Sequence, residues 1–302
     1  MRSIAIVTDS SAALPASCIQ GMTEAGGFAL VDLPVSIAGQ TLAGMSPGEV
    51  DAAIVTAHVQ GEQVITSSPA PGAFLDVYEE LASQGYSSII SLHLSAALSG
   101  TCDSARVAAS MVDIPVAVVD SENLAMALGQ AVLELYKATE TLDDISAAVE
   151  LAEELSDATR LFFFIPTLEA LKRGGRVNPG LAMVGQMFQI RPVASVSEGK
   201  LVYLERPRTT PKAIERLTAL TLEHSQQHIL NSALRKKEPY PVDSFVAHPT
   251  GRVVAVHFCG NLPQAEAFKE SLGQVAEQAE LLPLPPVLSA HSGLGALAAV
   301  VY

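Results

Sequence analysis

Thr66, Ser67 and Ser68 stand side by side in TSSPAP, just before a proline-marked helical stretch. Three hydroxyls there, together with the free backbone N–H groups of a helix start, can bind an oxyanion. One of them can equally be the N-cap of that helix, a position where Ser and Thr are common. A second cluster, Ser95, Ser99 and Thr101 in SAALSGT, follows a strand ending at His93, and Gly100 permits a tight turn beside it. A turn with an N-cap is the plain alternative here too. His291 in HSGLGAL precedes two glycines that let backbone or imidazole approach a ligand, although a single histidine is more often structural.

Positive charge is sparse. Lys172, Arg173 and Arg176 in LKRGGRVNPG form the clearest basic group, and the glycine pair ends a helix so that the Arg176 guanidinium projects from a turn. Pairing with an acidic neighbour is the ordinary fate of such an arginine. Arg206 and Arg208, read as lying on a strand around Pro207, form a second candidate contact group for an acidic partner. No lysine or arginine adjoins TSSPAP, so the head of any acid held there is expected to meet neutral hydroxyls without cationic help. His224 and His228 lie four apart on a helix, and with no third ligand in sight a solvated face is expected rather than a metal site. GxxxxGK[ST], GxGxxG after a strand, HExxH and GxSxG are absent, which argues against an enzyme carrying its own ATP site.

The elements that position these residues follow one pattern in the first half. IAIV leads into TDSSAALP, SSIISLHL into SAALSGT, and VAVV into DSENLAMALG. Short apolar runs alternating with helices read as buried parallel strands of a doubly wound, Rossmann-like sheet. Ligands bind beyond the carboxyl ends of such strands, where the hydroxyl-rich loops fall. After Phe74, Val77 and Leu81 set one helix face, a further helix from Leu142 to Ser156 closes a domain of residues 1–159. From RLFFFIP onward the grammar changes, because RPVASVSEGKLVYLERPR alternates in period two around Glu198-Gly199, a hairpin signature. Residues 160–302 therefore read as a second α/β domain with a mixed or antiparallel sheet. Its polar connector near 231–251 is either an ordered contact loop or an insertion.

With 302 residues, 49% of them hydrophobic and 17% charged, the chain can bury one large core or two moderate ones. Eighteen basic against 32 acidic residues give a formal charge of -14, which disfavours nucleic acid and anionic membrane surfaces as partners. Cys18, Cys102 and Cys259 are widely spaced and read as reduced, structural thiols. The N-terminal apolar run is too short for a signal peptide, and no stretch nears the roughly 20 apolar residues of a membrane span. A cytoplasmic protein without cofactor or metal is expected.

IAIVTDSSAALP, LPVSI, ITSSPAPGAFLDVYEEL, YSSIISLHLSAALSGTCDSARVAA, VAVVDSENLAMALG, TLEALKRGGR and HSGLGALAAVVY occur in this order. Together they resemble the DegV family of bacterial fatty-acid-binding proteins over nearly the whole chain. The resemblance implies a two-domain fold with one long-chain fatty acid buried between the domains. It further implies the role of binding subunit of a fatty acid kinase in phospholipid metabolism, offering the carboxylate to a separate ATP-dependent subunit that makes an acyl phosphate. Carried onto this sequence, Thr66, Ser67, Ser95, Ser99 and His291 would surround the carboxylate, with Arg176 touching ligand or partner. Ala96, Ala97 and Leu294 depart from the family's usual SSKLSGT and HTGPG. A free-standing hydrolase or transferase using the same hydroxyls, and a lipid-sensing regulatory module, are the competing readings.

Burying about 14 methylenes at roughly 0.8 kcal/mol each gives on the order of 11 kcal/mol before association costs. A neutral hydrogen bond contributes only about 1 kcal/mol net. The tail should therefore set affinity and the hydroxyls orientation.

Overall fold

The structure is a computed structural model and describes residues 2–176, 190–235 and 250–302. In chain order the first half contains β1 (Ile4–Asp9), α1 (Ala16–Ala25), β2 (Phe28–Val31), β3 (Val35–Ile37), β4 (Gln40–Thr41), α2 (Pro47–Gln60), β5 (Val64–Thr66), α3 (Pro71–Ser83), β6 (Ser88–His93), α4 (Thr101–Ala109), β7 (Val116–Asp120), α5 (Met126–Ala138) and α6 (Ile145–Ala158). The second contains β8 (Arg160–Phe164), α7 (Glu169–Arg173), β9 (Val193–Ser197), β10 (Lys200–Glu205), α8 (Thr210–Arg235), β11 (Val253–Phe258), α9 (Leu262–Ser271), β12 (Glu280–Pro283), α10 (Pro286–Ser292) and β13 (Leu297–Val301).

β1 and β6 are buried at every residue, as expected of mainly apolar strands covered on both faces, and their buried polar residues include Thr8, Asp9, Ser91 and His93. They form the centre of a parallel sheet in the order β2-β1-β6-β7. Period-two alternation divides their side chains between the faces. Ala5, Val7 and Ile89 meet Phe74 and Tyr78 of α3 and Ala105 of α4. Ile4, Ile6, Ile90 and Leu92 meet Leu128 and Val132 of α5 and Ala148 of α6. Fully burying each such leucine or isoleucine contributes about 1.5–3 kcal/mol.

Four short strands of the first half were not legible as sheet. β3 pairs antiparallel with both β4 and β5 to make a small separate sheet, in which Val35 lies opposite Thr66. β2, at the edge of the parallel sheet, was likewise unread.

The second half forms one mixed sheet in the order β10-β9-β8-β13-β11-β12, antiparallel except between β11 and β12. The hairpin turns at Glu198 (φ 49°) and Gly199 (φ 70°), the two left-handed residues that a tight two-residue turn demands. One face packs Phe162, Phe164 and Val256 against Leu217 of α8 and Phe268 of α9. The other turns Leu161, Ala255 and Ala298 into the same apolar cluster that holds α5 and α6. The two sheets thus share a core, and the change of sheet falls between α6 and β8.

His224 departs from the solvated face expected of it. Its ring is half-buried on α8, edge-on to Phe162 with centroids 5.3 Å apart. The His228 side chain, and residues 236–249 of the connector, lie outside the described residues. Among those described, no three His, Cys, Asp or Glu are placed to hold a metal, and no helix is long and apolar enough to cross a membrane.

Candidate functional site

β5 ends at Thr66, and the chain then runs past Ser67, whose N–H donates to Pro34 O (3.1 Å), before α3 begins. The N-cap of α3 is Ala70 and that of α4 is Gly100, neither with a side-chain cap bond. Neither helix start is thus capped by a hydroxyl of the two clusters, although Ser95 keeps a local turn bond, its Oγ accepting from Ala97 N. Ser68, Ser99 and Thr101 instead meet each other: Ser68 Oγ lies 3.3 Å from Ser99 Oγ, which lies 2.8 Å from Thr101 Oγ1.

α10 brings His291 to the same place, its Nε2 2.7 Å from Thr66 Oγ1. Its other ring nitrogen, Nδ1, is buried without a hydrogen-bond partner. Burial, and secondarily the Arg176 charge, pull the His291 pKa down to about 4, so the ring is neutral near pH 7. Arg176 follows the glycine pair at the end of α7; its Nε donates to Leu98 O (3.2 Å) and its Nη1 to Gly174 O. This corrects the expectation of a site without cationic help, because the guanidinium is brought up from more than a hundred residues away in sequence.

Thr66, Ser67, Ser99, Arg176 and His291 all line one cleft between the sheets. The rest of its wall is overwhelmingly apolar and includes Leu94, Leu124, Phe163, Leu201, Val287 and Ala298. Counted together with the open solvent at its mouth, the cleft encloses about 910 Å³. Such a wall excludes water from a long apolar chain, while the polar cluster can receive one anionic group.

Ser95 is not on this wall. It is fully buried, donates to Gly199 O at the hairpin tip (2.6 Å) and accepts from Ala97 N (3.1 Å). It ties the loop that carries Leu98 and Ser99 to the mixed sheet. Lys172 and Arg173 are exposed at the end of α7, with Arg173 Nη1 3.4 Å from Gly61 O. Arg206 and Arg208 are exposed beyond the cleft wall; β10 stops at Glu205, so neither is on the strand expected for it.

Two features escaped sequence reasoning. Ser292 lines the cleft beside His291, hidden in the same HSGLG stretch. Deeper, Asp9 Oδ2 meets His93 Nδ1 (3.0 Å), His93 Nε2 meets Ser91 Oγ (2.6 Å), and Ser91 Oγ meets Tyr78 OH (2.7 Å). All four residues are fully buried. An acid, a histidine and a serine are in series, but the hydroxyl is engaged on both sides and sealed from substrate.

An α/β protein of two main sheets and a small third one, with an apolar cleft whose wall carries hydroxyls, an imidazole and a guanidinium, is the class that fold and site define. The model of the DegV family, described as uncharacterised proteins, matches residues 3–302, and the chain belongs to that family. A DegV domain-containing protein of Streptomyces coelicolor is 33% identical over 304 residues, covering 99% of this chain and 98% of that one. Among solved structures, a Thermus thermophilus DegV family protein described by its fatty acid binding superposes with TM-score 0.76 at 27% identity, over 100% of this chain and 99% of that one. The Bacillus subtilis DegV, described as a fatty acid binding protein, gives TM-score 0.76 at 27% identity over the whole of both chains.

Proposed function

We propose that this chain binds one long-chain fatty acid in the cleft and presents its carboxylate to a separate ATP-dependent kinase subunit, which converts it to an acyl phosphate. In this reading the chain divides near residue 160 into two domains with the ligand between them. The observation that carries the binding step is the composition of the cleft: polar groups at Thr66, Ser67, Ser99, Arg176, His291 and Ser292, and apolar side chains over the rest of the wall. The fatty acid binding of the Thermus and Bacillus relatives supports it. The hand-off rests on the family resemblance and on the absence of a nucleotide-binding motif in the sequence.

The ligand fixes the proton pattern. A carboxylate only accepts, so Thr66 must donate its O–H to it, and His291 must then donate Nε2–H to Thr66 Oγ1. The neutral imidazole thereby orients a hydroxyl, and Arg176 supplies the balancing charge. For acyl phosphate formation, a carboxylate oxygen attacks the γ-phosphorus of ATP while the bond to the departing ADP breaks. The protein's part is to hold that oxygen still at the mouth. The sealed Asp9–His93–Ser91 series offers no nucleophile to a ligand, so the hydrolase alternative would have to work through the cleft hydroxyls.

Organic extraction of the purified protein followed by mass spectrometry tests the reading. One equivalent of a long-chain fatty acid is expected. Empty protein that turns over small esters would replace the carrier with the hydrolase.

A further inference from the structure

The two glycines after α7 look in sequence like a single helix stop, yet they do different things. Gly175 has φ +72° and open space around its Cα, so it is the residue whose backbone needs glycine. Gly174 has φ -75° and ψ -6°, a conformation open to any residue. What forbids a side chain there is His291: a Cβ on Gly174 would lie 2.3 Å from its Nδ1 and 2.6 Å from its Cε1. The ring is half-buried, with its Nδ1 enclosed and its Nε2 engaged by Thr66, so it cannot yield freely. The carbonyl of the same glycine accepts from Arg176. Gly174 therefore touches two of the polar groups of the cleft at once, the imidazole over its Cα and the guanidinium on its oxygen.

We propose that Gly174 is a positioning residue: its missing side chain is the slot that seats the His291 imidazole against Thr66. Through Thr66 it fixes where a ligand carboxylate sits, a consequence that rests on the fatty-acid reading above. The seating itself does not.

The test compares Gly174→Ala with Gly175→Ala in the full chain, following the His291 ring by NMR titration and the dissociation of a fluorescent fatty acid. Gly174→Ala should displace the ring toward water and raise its midpoint by about one unit or more. It should also speed dissociation about fivefold, the weight of one net hydrogen bond. Gly175→Ala should lower stability and leave the His291 midpoint alone. An unchanged midpoint and unchanged dissociation in Gly174→Ala would overturn the proposal. Should Gly174→Ala fail to fold, the double variant Gly174→Ala/His291→Ala must fold, because the methyl then occupies vacated space. A double variant that stays unfolded, when His291→Ala alone folds, also overturns it. The titration needs no ligand, so an empty wild-type protein would count against the carrier reading and not against the seating of His291.

Discussion

Thr66 Oγ1 and His291 Nε2, 225 residues apart in sequence, lie 2.7 Å apart, and both residues line the cleft. The small β3–β5 sheet places the first and α10 the second, so a hydrogen bond between distant segments sets the direction of one hydroxyl. If that hydroxyl meets the ligand, its loss should be felt in orientation before affinity.

Thr66→Val keeps the volume and removes the donor. Fatty acid retention should fall no more than about fivefold, since one neutral hydrogen bond is worth about 1 kcal/mol against on the order of 11 for the tail. Acyl phosphate formation with the kinase subunit supplied should fall further than that. Equal losses in equilibrium binding and phosphate transfer would reassign Thr66 to plain affinity.

Arg176 lowers the His291 pKa and holds the loop at Leu98. Arg176→Gln should raise the His291 midpoint above about 4 while burial keeps it below the ordinary value near 6.5. NMR titration of the ligand-free protein measures this. A midpoint that does not move would place the guanidinium too far away to matter.

Acid should destabilise the fold through two histidines held neutral. Burial brings both His257 and His291 down to about 4, and His257 Nε2 accepts from Met126 N (3.2 Å) at the start of α5. The unfolded chain, with an ordinary midpoint near 6.5, binds more protons than the folded one between those values, so stability rises with pH across the window. Full stability is present above about pH 6.5, and up to about 3 kcal/mol per histidine is lost on descending to pH 4. Urea unfolding between pH 7 and pH 5 should therefore show a flatter profile for His257→Gln than for the wild type. Parallel profiles would mean that His257 is protonated in the folded state.

Ser95 offers a discriminating case, since the resemblance places it at the carboxylate and the structure bonds it to Gly199. Ser95→Ala leaves a buried carbonyl unpaired and should cost about 1–3 kcal/mol of stability, with fatty acid orientation intact. Gly199→Ala meets both a positive φ and a contact at 2.6 Å to Ser95 Oγ, so it should cost more. Phosphate transfer falling as steeply in Ser95→Ala as in Thr66→Val would restore Ser95 to the carboxylate.

What could be read from the chain alone was what local pattern encodes. β1, β6 and β7 stand out because each carries a short, mainly apolar run before a hydroxyl- or acid-bearing loop, and the Glu198-Gly199 turn because both its residues adopt left-handed backbone. β2 and the β3–β5 sheet were hidden because they are short and half-buried, and Val35 finds Thr66 only through folding. At the site, the hydroxyl clusters were visible as composition. Whether they cap helices was not, and it is decided by backbone that puts Ala70 and Gly100 at the cap positions. The partner of Ser95 lies 104 residues away, and nothing near TSSPAP announces that Arg176 reaches the same cleft. The two roles of Gly174 and Gly175 look identical as letters and differ only in what surrounds their Cα atoms.

A crystal structure of the protein with palmitate in the cleft tests the central claim most directly. A carboxylate oxygen about 2.7 Å from Thr66 Oγ1, with the chain running past Phe163 and Leu201, is the predicted result. A palmitate lying the other way round, its carboxylate in solvent far from Thr66, Arg176 and His291, would contradict it.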